Sequence, residues 1–391
     1  MAGSLPSPEA PPFSRATRDE RIAQLNNTEF DVVVVGGGIT GVGVARDAAM
    51  RGLRVALLEA GDLAQGTSSA SSKLVHGGLR YLEQRNVGLV LESVSERARL
   101  MNLAPHLVRP MPFFFPVYEK RPRPLWMVGL GLWVYEVLAA FRVPARHKTL
   151  RGTRAREAFP ALDARGLDGG VLYYDCATDD ARLVLETAIG AHEAGAWILP
   201  RMRVESFVTD RGQVRGVVTR DSLNGGTHTV SARLVVNATG PWTDRILGMR
   251  RQRPRVVRPT KGSHIVVRRD RLPIEATVML WTGERGGDGF LFAIPSGESV
   301  FIGTTDTDFS GDYDRVRVTG SEVEHFLEHV NASFPGVKLT PDDVVGTWAG
   351  LRPLLTTGSP RTRRRCHAIM RSSWIPTVSS PSPAASSRPT V

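Results

Sequence analysis

The chain has 391 residues, of which 41% are apolar and 23% charged, so it is long enough for about two globular domains with sizeable cores. Its two cysteines exclude a disulfide scaffold and a four-cysteine zinc site, and with no signal-peptide pattern we expect a cytoplasmic protein. The net charge is +11, but residues 356–391 carry six Arg and no Asp, Glu or Lys, which leaves +5 over the first 355 residues. This mild excess suits an anionic substrate or a membrane surface rather than nucleic acid.

The first 29 residues begin rich in Pro and Ser and contain one short helical pattern near Arg18–Leu25. We interpret residues 1–29 as a mobile, disordered extension. Residues Asp31–Val35 then predict a strand buried on both faces, because after the first residue the run is wholly apolar and β-branched. A helix of small residues over Val42–Gly52 and a second apolar strand over Arg54–Leu58 complete one β-α-β unit.

The turn between that strand and that helix carries the pattern Gly36-x-Gly38-x-x-Gly41. In this fingerprint the first glycine makes a tight turn, the second lets the backbone approach a pyrophosphate, and the third allows close packing of helix on strand. Glu59 ends the next strand, 18 residues after Gly41, where its carboxylate can accept hydrogen bonds from an adenosine ribose. An acidic residue there suits a ribose 2′-hydroxyl, so the motif predicts FAD or NAD rather than NADP.

A serine-rich loop, Gly66–Ser72, follows and leads into the segment Lys73–Tyr81. Hydroxyl groups and glycine N–H groups can hold a ribityl chain and phosphates, so we expect cofactor contacts from Thr67, Ser68, Ser69, Ser72 and Lys73. His76, Arg80 and Tyr81 add a proton carrier, a phosphate-binding guanidinium and a phenol within six residues. The alternative interpretation is a solvated serine loop with a surface arginine.

The stretch Leu125–Phe141 is strongly apolar around a single Glu136, and arginines flank it at positions 121, 123, 142 and 146. A spanning helix needs roughly 20 clean apolar residues, so no transmembrane helix is predicted. Two interpretations stay open: a helix buried between domains, which we prefer, and an interfacial element whose basic flanks face lipid headgroups.

The later part of the chain continues an α/β pattern. It contains a helix over Asp180–Glu193, a strand pair over Arg203–Val208 and Val214–Thr219, and a helix over Ser321–Val330. A short buried strand, Leu234–Asn237, ends in the small residues Ala238, Thr239 and Gly240. A strand that ends in small residues, far along the chain from a single N-terminal glycine fingerprint, is typical of flavoproteins. The pattern therefore favours FAD over NAD and predicts cofactor contacts from Ala238, Thr239 and Gly240.

Residues 30–355 resemble the FAD-dependent glycerol-3-phosphate dehydrogenase family, the aerobic type that reduces quinone. The similarity lies in separate stretches that occur in the same order: the continuous run from Asp31 to Glu83, the Tyr-Asp-x-x-x-Asp-Asp-Ala-Arg-Leu run at 174–183, Asn-Ala-Thr-Gly-Pro-Trp at 237–242, Gly-Thr-Thr-Asp at 303–306, and Trp-Ala-Gly-Leu-Arg-Pro-Leu at 348–354.

The resemblance implies oxidation of sn-glycerol 3-phosphate at C2 to dihydroxyacetone phosphate, with hydride passing to flavin N5 and electrons passing on to a membrane quinone. It implies that His76, Arg80, Tyr81 and Arg352 lie at the substrate site, with substrate contacts from Arg80, Tyr81 and Arg352 and catalytic roles for His76 and Arg352. Two interpretations stay open for Thr305 and Asp306: they shape the substrate side, or they only end a strand, since a Thr-Asp pair is also ordinary turn chemistry. The side-chain chemistry agrees, because arginine suits a dianionic phosphate and a histidine titrates in the range needed to accept the C2 hydroxyl proton. An arginine-assisted alkoxide is the alternative to a histidine base.

The segment from Thr356 lacks periodicity and is rich in Ser, Pro and Arg. The family continues at this point with a Gly-Gly-Lys-Leu-Thr-Thr-Tyr-Arg segment and a helical domain. One permitted back-translation of residues 379–391, read in another frame, contains that segment. We therefore expect a frame shift between about Leu354 and Thr362 and an aberrant, disordered tail over 356–391; a natural disordered tail is the alternative.

The expected fold is α/β, with a Rossmann-like FAD-binding domain over 30–112, 170–250 and 345–355 and an inserted mixed-sheet substrate domain over 113–169 and 251–344, as in glutathione-reductase and amino-acid-oxidase folds. The expected partners are sn-glycerol 3-phosphate, a quinone, the inner face of the cell membrane, where the protein would lie peripherally, and a second copy in a homodimer. Neither a metal nor nucleic acid is expected. The alternatives are a glycerol-3-phosphate oxidase that uses oxygen, an amine or amino-acid oxidase, an inactive truncated chain that only binds flavin, and, last, a nucleic-acid-binding module that rests on the tail alone.

Overall fold

The computed structural model describes residues 10–77, 87–119, 123–139, 143–250, 254–283 and 289–356. The chain forms two compact units. The first unit consists of the described residues within Met1–Leu63, Thr187–Val257 and Pro353–Val391, and the second of those within Ala64–Glu186 and Arg258–Arg352. The predicted substrate residues Arg80 and Tyr81 and the predicted aberrant tail from residue 357 lie outside the described residues.

The helices of the described residues are α1 (Arg15–Gln24), α2 (Ile39–Met50), α3 (Val87–Leu103), α4 (Leu125–Leu138), α5 (Thr153–Ala158), α6 (Asp180–Glu193), α7 (Thr243–Gly248) and α8 (Gly320–Ser333). The strands are β1 (Glu29–Val35), β2 (Val55–Leu58), β3 (Leu74–Val75), β4 (Arg109–Tyr118), β5 (Lys148–Arg151), β6 (Leu167–Ala177), β7 (Trp197–Leu199), β8 (Met202–Asp210), β9 (Gln213–Asp221), β10 (Thr227–Asn237), β11 (Val257–Arg268), β12 (Thr277–Trp281), β13 (Phe290–Ser296), β14 (Ser299–Gly303), β15 (Thr307–Asp308) and β16 (Val344–Leu355). The three predicted helices that became α2, α6 and α8 are confirmed to within a few residues at their ends.

The first unit is built on a six-stranded sheet with the strand order β7-β2-β1-β10-β9-β8. Strands β7, β2, β1 and β10 run parallel, whereas β9 pairs antiparallel with both β10 and β8. At the centre of the sheet, Val35 of β1 lies opposite Leu58 of β2 and Asn237 of β10. Since parallel strands share a direction, this register brings the predicted glycine-rich turn, the predicted acid and the predicted small-residue strand end to one edge of the sheet.

Residues 14–27 are ordered, so the predicted mobile extension over 1–29 is wrong for this stretch. Arg18 of α1 forms a buried ion pair with Asp221 at 2.8 Å. Ile22 and Leu25 contribute to the core of the first unit. The reason is tertiary, because the helical pattern near residues 18–25 finds its ionic partner 203 residues further along the chain.

The second unit contains a ten-stranded sheet with the path β15-β11-β14-β13-β12-β4-β6-β3, to which β16 is added beside β11 and β5 beside β6. Its core packs α8 against the central strands through Phe326, Leu327 and Val330. The division of the chain differs from the predicted domains, because the described residues of 64–112, 170–186 and 345–352 belong to this unit. The physical reason is strand pairing: β3 and β4 both hydrogen-bond to β6, so these segments complete one sheet.

Helix α4 covers most of the apolar stretch 125–141. One face of it packs in the core of the second unit, through Leu125, Val128, Leu132 and Tyr135. The other face exposes large apolar side chains, namely Trp126, Met127, Leu130, Trp133, Val134 and Val137. The preferred prediction, a helix buried between domains, is therefore wrong for this face. Among the described residues, no helix combines the length and the apolar character needed to cross a bilayer.

Candidate functional site

The glycine-rich turn of the first unit joins β1 to α2. Gly36 has φ +113°, and a Cβ atom built on it would lie 2.6 Å from the Ala238 carbonyl oxygen, so only glycine fits there. A Cβ on Gly41 would collide with the Gly36 carbonyl, which shows how closely α2 packs on the turn. Gly38 precedes α2 with extended backbone and has no side chain to cap the helix. The first N–H groups of α2 thus face a site that suits an anionic group.

Glu59 lies beside this turn at the end of β2. One carboxylate oxygen accepts the N–H of Gly37 at 2.6 Å and the other accepts the N–H of Gly61 at 2.7 Å. A carboxylate has about four acceptor positions, so these two bonds leave capacity for ribose hydroxyl groups. The carboxylate therefore orients the turn and can also bind an adenosine ribose.

The strand end after β10 lies against the same turn. Ala238 donates its N–H to the Val35 carbonyl at 2.8 Å, and the Thr239 hydroxyl donates to Asn237 at 2.7 Å. Gly240 has φ +54° and starts a 3₁₀ turn. The cradle made of Gly36, Gly38 and Gly41, the carboxylate of Glu59 and this small-residue strand end fit the pyrophosphate and ribose of FAD.

The serine-rich loop, predicted to bind the cofactor, belongs to the second unit and is tied to that unit by its own side chains. The Thr67 hydroxyl donates to the Leu351 carbonyl at 2.6 Å, and Ser69 donates to Gly66 at 3.4 Å. Lys73 forms an ion pair with Asp180 at 2.7 Å. Cofactor contacts from Thr67, Ser68, Ser69, Ser72 and Lys73 stay a prediction, because these internal bonds neither require nor exclude them.

A buried histidine forms the centre of the polar cluster in the second unit. The His264 ring is 1% exposed, stacks on Trp348 with ring centroids 4.7 Å apart, and lies 2.9 Å from the Ser72 hydroxyl through Nε2. Burial lowers the pKa of His264 to about 3, and the positive charges of Arg352 and Lys73 act in the same direction. The imidazole is therefore neutral at physiological pH.

Arg352 lies on β16 and is held by the segment that follows β14. Its guanidinium donates to the Thr304 hydroxyl at 3.1 Å, to the Thr305 carbonyl at 3.1 Å and to the Asp306 carboxylate at 3.3 Å. The Thr305 hydroxyl in turn accepts the N–H of Ser263 at 3.0 Å. The structure thus joins three predicted substrate residues, Thr305, Asp306 and Arg352, in one hydrogen-bonded group.

His76 follows β3 and has an exposed side chain, while the next residue, Gly77, is buried. Gly77 donates its N–H to Asp175 at 3.2 Å. The relation of His76 to Arg80 and Tyr81 lies outside the described residues.

Sequence reasoning gave no site role to His264, and it named Asp180 and Trp348 only as parts of family motifs and predicted elements. A usable signal was present, because histidine is uncommon at a buried strand position and Gly262 and Ser263 precede it.

The chain is similar to known proteins over most of its length. The family model described as FAD dependent oxidoreductase matches residues 31–375, a range that extends into the segment predicted to be aberrant. An alpha-glycerophosphate oxidase of Streptococcus pyogenes serotype M1 is 42% identical over 353 residues, which cover 89% of this chain and 58% of the relative. Glycerol-3-phosphate dehydrogenase 2 of Mycobacterium bovis is 44% identical over 367 residues, which cover 92% of this chain and 60% of the relative.

Solved structures are similar as well. The glycerol-3-phosphate dehydrogenase of Bacillus halodurans, complexed with FAD, is 36% identical with a TM-score of 0.73, and the match covers 87% of this chain and 60% of that one. The glycine oxidase of Geobacillus kaustophilus is 25% identical with a TM-score of 0.63, and the match covers 85% of each chain. The chain thus spans about three-fifths of the length of the Streptococcus, Mycobacterium and Bacillus relatives. The family match over most of the chain, together with a glycine-rich turn that fits FAD, places this protein in the FAD dependent oxidoreductase family.

Proposed function

We propose that this protein oxidises sn-glycerol 3-phosphate at C2 to dihydroxyacetone phosphate with FAD as cofactor. The observation that carries the proposal is the placement of Arg352 among Thr304, Thr305 and Asp306, next to a neutral buried imidazole. The proposal is supported by 42–44% identity to enzymes named alpha-glycerophosphate oxidase and glycerol-3-phosphate dehydrogenase.

Arg352 is the proposed phosphate ligand. Its guanidinium is about one-third exposed, and its ion pair with Asp306 is open to solvent on the carboxylate side. Exposed pairs of this kind contribute about 0–1 kcal/mol, so a dianionic phosphate can replace the carboxylate as the partner of the guanidinium. The bonds to Thr304 and Thr305 hold the guanidinium plane while that exchange takes place.

His76 is the proposed acceptor of the C2 hydroxyl proton, because its ring is exposed to an incoming substrate whereas the ring of His264 is buried and neutral. Bound FAD supplies the acceptor for the hydride that leaves C2. The role of His264 is to support Ser72 and Trp348 without adding positive charge to the site.

The test is reduction of the bound flavin under anaerobic conditions. Adding sn-glycerol 3-phosphate should bleach the flavin of the wild-type protein. Arg352→Ala should lower the second-order rate constant for bleaching by about 100-fold, since a charge-assisted hydrogen-bond pair contributes about 3 kcal/mol, and should leave the flavin content unchanged. Arg268→Ala, which removes an exposed arginine paired with Asp270 on the same unit, is the matched control and should change nothing. A wild-type protein that binds flavin but is not bleached would overturn the proposal and support the inactive flavin-binding alternative.

The relatives do not distinguish oxygen from a quinone as the electron acceptor, because proteins at similar identity are named both oxidase and dehydrogenase. We propose a quinone. Reoxidation of the reduced protein by a soluble short-chain quinone should outpace reoxidation by dissolved oxygen, with little peroxide formed. Stoichiometric peroxide and no response to quinone would identify an oxidase instead.

The lipid partner is proposed from the surface around α4. Trp126 is 67% exposed and Trp133 48% exposed on its outer face. Strand β5 beside the helix exposes Lys148 and Arg151. Residues 120–156 contain nine Lys and Arg and a single acid, Glu136, which is buried. Tryptophans next to an excess of positive charge suit the headgroup region of an anionic bilayer.

Sedimentation with lipid vesicles tests this surface. The protein should bind vesicles of phosphatidylglycerol and phosphatidylcholine but not vesicles of phosphatidylcholine alone. Trp126→Ser combined with Trp133→Ser should reduce binding at least tenfold, while Leu223→Ser, at an exposed leucine of the first unit, should not. Equal binding by both variants would overturn the assignment of this surface.

A further inference from the structure

Three polar side chains form a cluster inside the second unit, next to the backbone that carries His76. Arg97 of α3 is 0% exposed, Tyr135 of α4 is 1% exposed and Asp175 of β6 is 2% exposed. Arg97 donates to the Tyr135 oxygen at 2.8 Å and also forms an ion pair with Asp175, and Tyr135 donates to Asp175 at 3.2 Å. The three side chains thus form a closed hydrogen-bonded triangle that links two helices to the sheet.

The same carboxylate oxygen of Asp175 that accepts from Arg97 and Tyr135 also accepts the backbone N–H of Gly77 at 3.2 Å. Strand β3 pairs with β6 with Leu74 opposite Ala177 and Val75 opposite Cys176. One step further, His76 would lie opposite Asp175, but the strand itself ends at Val75. Where the chain leaves the sheet, the Gly77 N–H therefore bonds to the Asp175 carboxylate instead of to a backbone carbonyl of β6.

Gly77 is also confined sterically. A Cβ atom on Gly77 would collide with the Tyr135 hydroxyl and with Val94 of α3. The backbone of this residue is therefore pressed against both helices, and the direction in which the His76 side chain leaves the sheet depends on where Tyr135 and Asp175 lie.

A buried ion pair is a weak source of stability, because the desolvation of both charges offsets most of their attraction. Well-packed apolar side chains could fill the same volume between α3, α4 and β6. Burial raises the pKa of Tyr135, so the phenol remains a hydrogen-bond donor to Asp175 at every working pH. Because its charges are costly to desolvate and its hydrogen bonds persist at every working pH, the cluster is better explained by the geometry that it imposes on neighbouring residues.

We propose that Arg97, Tyr135 and Asp175 are positioning residues that set the orientation of His76 through the Gly77 N–H. The proposal rests on the proposed function in that it takes His76 as the proton acceptor. All three side chains are buried, and each acts through the backbone of residues 76 and 77.

A double-mutant cycle on the rate of anaerobic flavin reduction tests the proposal. Tyr135→Phe removes one hydroxyl and should lower the limiting rate about tenfold while the KM for sn-glycerol 3-phosphate stays within about twofold, because the phosphate is bound elsewhere. In a His76→Ala background the same change should lower the limiting rate less than twofold, since the group being positioned is gone. Equal effects of Tyr135→Phe in both backgrounds would show a general structural role and overturn the proposal.

Tyr173→Phe is the matched control. Like Tyr135→Phe, this change removes a buried hydroxyl, but Tyr173 lies on β6. Its hydroxyl donates to the Met279 sulfur at 3.6 Å and not to Asp175. This variant should keep the wild-type rate in both backgrounds. A loss of rate equal to that of Tyr135→Phe would contradict a specific role for the cluster.

Amide hydrogen exchange separates failure of this inference from failure of the proposed function. In the flavin-loaded protein, Tyr135→Phe should speed exchange over residues 74–77 at least tenfold, and Tyr173→Phe should not. Unchanged exchange over 74–77 overturns the inference even if the enzyme is active. If Tyr135→Phe speeds exchange over 74–77 but sn-glycerol 3-phosphate does not bleach the wild-type flavin, the cluster still positions the backbone and the proposed substrate is rejected.

Discussion

Glu59 at the end of β2 accepts the backbone N–H of Gly37 at 2.6 Å, so the acid predicted to bind ribose also holds the glycine-rich turn. Its second oxygen is occupied by the N–H of Gly61 at 2.7 Å. The carboxylate therefore connects the glycine-rich turn, whose Gly37 lies 22 residues before Glu59, to the loop that follows β2. Loss of its charge should disturb the shape of the turn as well as a contact to cofactor.

Glu59→Gln should weaken FAD binding by about 10- to 100-fold, because an amide places a donor against one N–H group and two charge-assisted hydrogen bonds lose strength. The dissociation constant of FAD for the apoprotein, measured by fluorescence titration, provides the test. Glu29→Gln, at an exposed position on β1, is the control. A dissociation constant within twofold of wild type would mean that Glu59 neither shapes the turn nor contacts the cofactor.

Substitutions at two glycines of α2 distinguish the effect of close packing on stability from the effect of helix propensity. Gly41→Ala places a methyl group against the Gly36 carbonyl and should destabilise the protein by about 1–3 kcal/mol and abolish FAD binding. Gly43→Ala has nothing within 4 Å of the new methyl group and should stabilise the helix by about 1 kcal/mol. Urea denaturation of the two variants measures both effects. Similar stabilities would contradict the packing of α2 against the turn.

The N-terminal helix should contribute to the stability of the first unit. Arg18→Ala leaves Asp221, 1% exposed, without its ionic partner and should lower the free energy of unfolding by about 3–5 kcal/mol. Arg15→Ala removes an arginine that is 77% exposed and should change it by less than about 0.5 kcal/mol. Thermal denaturation followed by tryptophan fluorescence distinguishes the two. Equal melting temperatures would restore the interpretation of a loosely attached extension.

His264 should make the protein sensitive to acid. The folded protein keeps the ring neutral with a pKa of about 3, whereas an unfolded histidine has a pKa of about 6.5, so the unfolded state binds the extra proton between these values. Stability should therefore fall as the pH is lowered from about 6.5 towards 3. His264→Phe retains an aromatic ring against Trp348 and should reduce this slope by up to about 1.4 kcal/mol per pH unit. Urea denaturation at several pH values measures the slope, and an identical slope in the variant would contradict a neutral buried ring.

The β1–α2–β2 unit and its glycine fingerprint were predictable from the sequence because their signals are local. The strand, the turn, the helix and Glu59 lie within about 30 residues, and each is marked by the spacing of apolar residues or by glycine. The strand end at Ala238–Gly240 was also predictable, but its place beside Gly36 depends on the pairing of β1 with β10.

The exposed face of helix α4 could not be predicted from the local sequence. Its composition is apolar on every face, so periodicity predicts no difference between the side that packs on β6 and the side that carries Trp126 and Trp133. Only the packing of Leu132 and Tyr135 in the core determines which side is exposed.

By itself, the sequence determined the β-α-β unit, the dinucleotide fingerprint and the family resemblance, since these depend on residues that are close in the chain. The tertiary structure alone decided that Ser72 meets His264, 192 residues away, and that Thr305 meets Arg352, 47 residues away. It also decided that α1 is anchored through Asp221 and that Asp175 holds Gly77. The physical reason is that strand order and register bring such residues together, and neither is encoded in the spacing of residues along a single segment.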